Sequence, residues 1–81
     1  MMNKVVITID KYEWETYKLV NTPIQTDKID YKKTDEEIIV TIADTDVANT
    51  YIAWLQCTIS YSFICFDRIE NGVLYLYIDI C

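Results

Sequence analysis

The residues with the strongest claim to chemistry are Asp44 and Asp46, which stand one residue apart at the end of the apolar run Ile38-Ile39-Val40-Thr41-Ile42. Two carboxylates so placed can serve, with another acid, a metal-assisted hydrolysis. A local role is also open to them: Asp44 or Thr45 caps a helix, and Asp46 adds negative charge where the helix dipole favours it. Other chemistries lack their residues. With no histidine in the chain, catalytic triads, Cys–His dyads and His-containing metal sites are excluded. Cys57, Cys65 and Cys81 have no CxxC spacing, and packing is the expected task of Cys65. The one glycine, Gly72, falls at a hairpin turn and leaves none for a phosphate-cradling loop.

The stretch Ile39-Val40-Thr41-Ile42-Ala43-Asp44-Thr45-Asp46 resembles the nucleophile motif of haloacid-dehalogenase-type phosphatases. The resemblance implies phosphoryl chemistry in which the first Asp attacks phosphorus, the second serves as acid/base and Mg²⁺ neutralises the group. It covers one strand end. The family's downstream Lys and further acidic pair belong to a much longer parallel-sheet scaffold, and Val47-Ala48 departs from its pattern. A small metal-assisted hydrolase using Asp44 and Asp46 is therefore the alternative expectation, and a non-enzymatic chain without cofactor or metal the leading one.

Size and charge bound the partners. Eighty-one residues make a single domain, 1–81, near the lower end of what folds without disulfides or metals. A hydrophobic fraction of 52%, one glycine and one proline describe a compact, ordered chain. The net charge of −6 repels a phosphate backbone and an anionic membrane alike, so direct nucleic-acid binding is disfavoured and a basic protein surface is the expected counterpart. An odd number of cysteines points to a reducing compartment, hence the cytoplasm. No leader pattern opens the sequence, and polar residues break every apolar run, so no membrane span is expected. In composition, the chain resembles small accessory proteins of viruses and mobile elements, many of which bind and inhibit host proteins; for such a chain the compartment is the host cytoplasm.

The elements that must position these residues make an α+β fold. It comprises an antiparallel sheet of four to six strands, a mixed sheet being allowed, with one main amphipathic helix on one face and a C-terminal hairpin. Val5, Ile7 and Ile9 alternate along a first strand. The segment Asp10–Val20 is read two ways. Asp10 with Glu13 resembles a helix cap, while Tyr12, Trp14, Thr16, Tyr17 and Val20 favour a strand over Trp14–Val20, which is the preferred reading. Lys28–Lys32 suits an edge strand, Ile38–Ile42 a buried one, and Asp46–Ser60 the helix, with Val47, Tyr51, Leu55 and Thr58 on one stripe.

Asn71-Gly72 predicts a type I′ turn joining strands over residues 62–80. In an unbroken register Glu70 faces Val73, Arg68 faces Tyr75, Phe66 faces Tyr77 and Ile64 faces Asp79. Phe63, Cys65, Asp67 and Ile69 then share the core face with Leu74, Leu76, Ile78 and Ile80. The other face, with Ile64, Phe66, Arg68, Tyr75 and Tyr77, is the expected protein-binding surface, for a basic partner, a second copy of the chain, or both. Asp35, Glu36, Glu37, Asp44 and Asp46 are expected to form an acidic rim beside it, steering such a partner and in the extreme imitating nucleic acid.

Overall fold

The computed structural model describes residues 4–80, the side chain of Ile80 excepted. In chain order the elements are β1 (Lys4–Asp10), α1 (Lys11–Thr16), a 3₁₀ turn (Leu19–Asn21), β2 (Ile29–Lys33), β3 (Glu37–Ile42), α2 (Thr45–Thr58), β4 (Ser62–Glu70) and β5 (Val73–Ile80). The strands form one sheet in the order β2-β3-β1-β5-β4. β1 runs parallel to β5, and every other neighbouring pair is antiparallel. The fold is thus α+β with a mixed sheet.

Period-two alternation sets the faces. Val5, Ile7 and Ile9 of β1 pair with Ile42, Val40 and Ile38 of β3, and all six are buried. The parallel register places Leu74 and Leu76 of β5 beside Val5 and Ile7, so they point to the same side. On that side α1 and α2 lie over β1 and β3. Tyr51, Leu55 and Ala48 of α2 complete the core with Trp14, Leu19 and Ile59. Asp44 starts α2: its Oδ1 accepts from the backbone N–H of Asp46 at 2.9 Å and of Val47 at 3.0 Å, occupying two donors that the first turn leaves unpaired.

The segment after β1 is a helix, and the preferred strand over Trp14–Val20 is corrected. Asp10 Oδ1 accepts from Tyr12 N–H at 2.7 Å and caps α1. Three tertiary contacts outweigh the strand-favouring residue types. Trp14 packs edge-on against Tyr31 at 5.6 Å between ring centroids. Glu13 accepts from the Ser62 hydroxyl, and the Tyr17 hydroxyl accepts from Tyr61 N–H. Such contacts need the helical spacing of residues 13, 14 and 17, which places them on one side. Lys18, in the left-handed region at φ 52°, turns the chain out of the helix.

The hairpin turn is as expected, with positive φ at Asn71 (53°) and Gly72 (77°). The register beyond it is not. Glu70, Ile69 and Arg68 pair with Val73, Leu74 and Tyr75, but Phe66 then pairs with Leu76, leaving Asp67 as an extra residue in a β-bulge. Every residue of β4 before the bulge is thereby turned to the opposite face. Ile64 and Phe66 join Ile78 and Leu76 on the helix side, and Phe63 and Cys65 join Asp79 and Tyr77 on the other.

Candidate interaction surface

The face of the sheet turned away from the helices has no second layer among the described residues. Residues opposite in parity to the core strands compose it, and the registers place them in rows. One row runs Lys32, Ile39, Thr8, Tyr77 and Cys65 from β2 to β4; the next runs Asp30, Thr41, Val6, Tyr75 and Arg68. β-Branched residues at the centre and tyrosines beyond them give an amphipathic floor.

Of the five residues expected at a binding surface, the structure brings Arg68, Tyr75 and Tyr77 together on this open face. Arg68 lies 4.0 Å over the Tyr75 ring, a cation–π pair. Its Nη1 donates to Asp67 Oδ2 at 2.7 Å, and its Nε stands 3.9 Å from Glu70 Oε1, so two neighbours hold the guanidinium on the ring. Ile64 and Phe66 are not on this face, because the bulge at Asp67 turns them to the other one; Phe63 and Cys65 take the places expected of them. Cys65 beside Tyr77 is the leading cause of that phenol's raised pKa, followed by desolvation and the Asp79 carboxylate.

The acidic rim is also corrected. Asp35, Glu36 and Glu37 lie where β1 leads into α1, since Lys11 N–H donates to the Glu36 carbonyl. Asp44 and Asp46 lie past the other end of β3, roughly 20 Å away at the rise of an extended strand. An acidic row does border the open face, with another membership. Asp10 pairs with Glu37, and Asp79 stands two residues beyond Tyr77, the last residue of β5 paired with β1. Parity along each strand puts all three on the open side.

The helix-bearing face is unevenly covered. Because α2 sits over β1 and β3, the β5–β4 side projects beyond it: Leu74 and Leu76 are half-buried, while Phe66 is 60% and Ile69 59% exposed. The exposed aliphatics and aromatics of the hairpin thus fall on both sides of β4, with Phe63, 59% exposed, on the open face.

Buried polar groups include the Glu13 carboxylate and the hydroxyl of Tyr51, a residue that the expected α2 stripe already turns toward the sheet. Glu13 is 3% exposed and accepts from the Ser62 hydroxyl at 2.9 Å. Its position beside Trp14, in a short helix with Tyr17 one turn on, was the available signal. Tyr51 is buried in the centre of the core, its hydroxyl lacks a partner at hydrogen-bond geometry, and burial with the Tyr31 phenol nearby pushes its pKa far up.

No group of three or more Cys, Asp or Glu side chains among the described residues could hold a metal, no pocket indents their surface, and none of their helices is long and apolar enough to cross a membrane. Cys57 and Cys65 are free thiols, and Cys81 lies outside the described residues. No family model matches the chain, and no significant match is found among curated proteins or solved structures.

Proposed function

We propose that this chain is a small non-enzymatic interaction module that lays the open face of its sheet, around Arg68, Tyr75 and Tyr77, against a protein with a basic surface. The observation that carries the reading is the uncovered face itself: a five-stranded sheet with helices on one side only and two tyrosines and a ring-stacked arginine on the other. Tyrosine supplies large apolar area and a hydroxyl at small entropic cost, and a pre-positioned arginine loses little freedom on contact. The Asp10, Glu37 and Asp79 row at one end, within a chain of net charge −6, supports a cationic partner. Acting by occupation of a partner's surface, the module works in a reducing cytoplasm, where Cys65 on the open face stays a thiol.

The test is affinity capture from the source cell with the wild-type chain and with the Tyr75→Ser/Tyr77→Ser variant, checked for folding by circular dichroism. A partner held by the wild type is expected to be lost, with affinity falling at least tenfold, since two central aromatic contacts carry that much at typical interfaces. Equal capture by both chains overturns the reading.

A further inference from the structure

β4 is the outermost strand of the sheet, so one row of its backbone N–H and C=O groups has no strand beside it. The two edges of the sheet differ in how they are guarded. β2, the opposite edge, carries Asp30, Lys32 and Lys33 within its five residues. In β4 the charges Asp67, Arg68 and Glu70 and the bulge are confined to the part near the turn. Before the bulge, Ser62-Phe63-Ile64-Cys65-Phe66 is regular and uncharged, apolar but for the buried Ser62 hydroxyl that donates to Glu13.

We infer that Ser62–Phe66 pairs antiparallel with the same segment of a second copy of this chain, about a two-fold axis through Ile64, joining two sheets into one. The choice of a second copy rests on two properties of this segment. The first is size complementarity. With Ile64 opposite Ile64, Phe66 of each chain falls opposite Ser62 of the other and Phe63 opposite Cys65, so each aromatic ring meets a small side chain directly across the strands. The second is charge. Two chains of net charge −6 repel, and this register sets Asp67 opposite Tyr61, away from any acid of the other chain. Centring the axis on Cys65 would instead set Asp67 against Phe63, and centring it on Phe63 would stack Phe63 on itself. A basic strand, by contrast, finds no carboxylate within Ser62–Phe66 to answer it. The pairing uses the edge of the sheet and leaves Tyr75 and Tyr77 uncovered, so it stands apart from the open-face reading and doubles the width of that face.

Sedimentation of the full chain across a concentration series is expected to show a species of twice the 9.6 kDa chain mass, shifted to monomer by Ile64→Lys, which sets two ammonium groups on the axis. Because Ile64 is half-buried and that variant can unfold, register is tested separately by cross-linking in a Cys57→Ser/Cys81→Ser background. Phe63→Cys is exposed and lies opposite Cys65 of the other copy, within reach of a disulfide. With oxidised glutathione accepting the two electrons from each thiol pair, a reducible dimer is expected from Phe63→Cys, and none from Phe66→Cys or from Cys65 alone. A chain that stays monomeric, or that cross-links through Phe66→Cys or through Cys65 alone, overturns the pairing. A monomer that still loses its captured partner when Tyr75 and Tyr77 are replaced sinks the pairing and keeps the open-face reading. A dimer whose capture ignores those replacements does the reverse.

Discussion

Glu13 departs most from what its residue type suggests. An acid in the first turn of a helix ordinarily sits in water, where it favours the helix dipole. Here it is buried against β4, and the Ser62 hydroxyl donates to it. Removing that donor leaves a buried carboxylate oxygen short of a partner. Ser62→Ala is therefore expected to cost about 1–3 kcal/mol in urea unfolding, more than most single hydroxyl deletions. Tyr51 is the converse case, a buried hydroxyl without a partner at bonding geometry. Tyr51→Phe removes the unpaired group at nearly constant volume, so stability at pH 7 is expected to stay level or rise by about 1 kcal/mol. The variant also has an alkaline signature. The folded-state pKa of Tyr51 is raised above its ordinary 10.0, chiefly by burial. The unfolded chain therefore releases that proton first. The neutral phenol's contribution is whole below about pH 10 and falls away as pH climbs toward the folded-state value. Urea midpoints measured between pH 8 and 11 should decline less steeply for Tyr51→Phe than for the wild type, with Tyr31, raised by burial, and Tyr77, raised chiefly by Cys65, contributing to the decline that remains.

Among the elements, β4 has the most consequential irregularity. Asp67 separates two stretches that pair in different parity with β5, and it lies between residues whose partners, Leu76 and Tyr75, are consecutive. Deleting Asp67 therefore lets both flanking registers persist in one regular ladder. The shortened chain is expected to fold with unchanged circular dichroism but to lose the bulge that bends the edge and the carboxylate that holds Arg68. Light scattering should show more self-association than in the wild type; equal scattering would mean the bulge does not guard the edge. The same element marks the limit of what the sequence discloses. Asn71-Gly72 is legible because only certain residues accept positive φ in succession, and everything adjacent to the turn follows from it. The bulge leaves no such mark, since alternation on either side of Asp67 is satisfied in both registers. Ile64 and Phe66 were accordingly expected on the wrong face while Arg68, Tyr75 and Tyr77 were placed correctly. Strand β3 and helix α2 were legible from periodicity and from the Asp44 cap, whereas α1 was legible only in its Asp10 cap, because Trp14 and Tyr17 are strand-favouring types held there by partners distant in sequence.

For the molecule as a whole, charge and coverage decide what it can meet. Its helices shield one side of the sheet and only part of that, leaving the hairpin accessible from above and below. The acids expected in one rim are divided, since the sequence closeness of Glu37 and Asp44 conceals that one strand carries them to opposite ends, while Asp10 and Glu37, far apart in the chain, pair. If a cationic partner meets that row, its capture should weaken several-fold between about 0.05 and 0.5 M salt, as the Debye length shrinks below the spacing of the charges. Salt-independent capture would mean that the contact is apolar and that the acids serve solubility alone.

The placement of β1 has a consequence for synthesis. Among the described strands it comes first in sequence and lies in the middle of the sheet, flanked by β3 on one side and by β5, the most distant from it in sequence, on the other. As the chain leaves the ribosome, β1 can pair early with β3, but its second side stays open until Val73–Ile80 emerge. The sheet closes only when β1 and β5 meet. Ribosome-bound chains halted before Val73 should therefore remain protease-sensitive, and chains carrying β5 should fold slowly for their size, because the deciding contact is also the longest-range one.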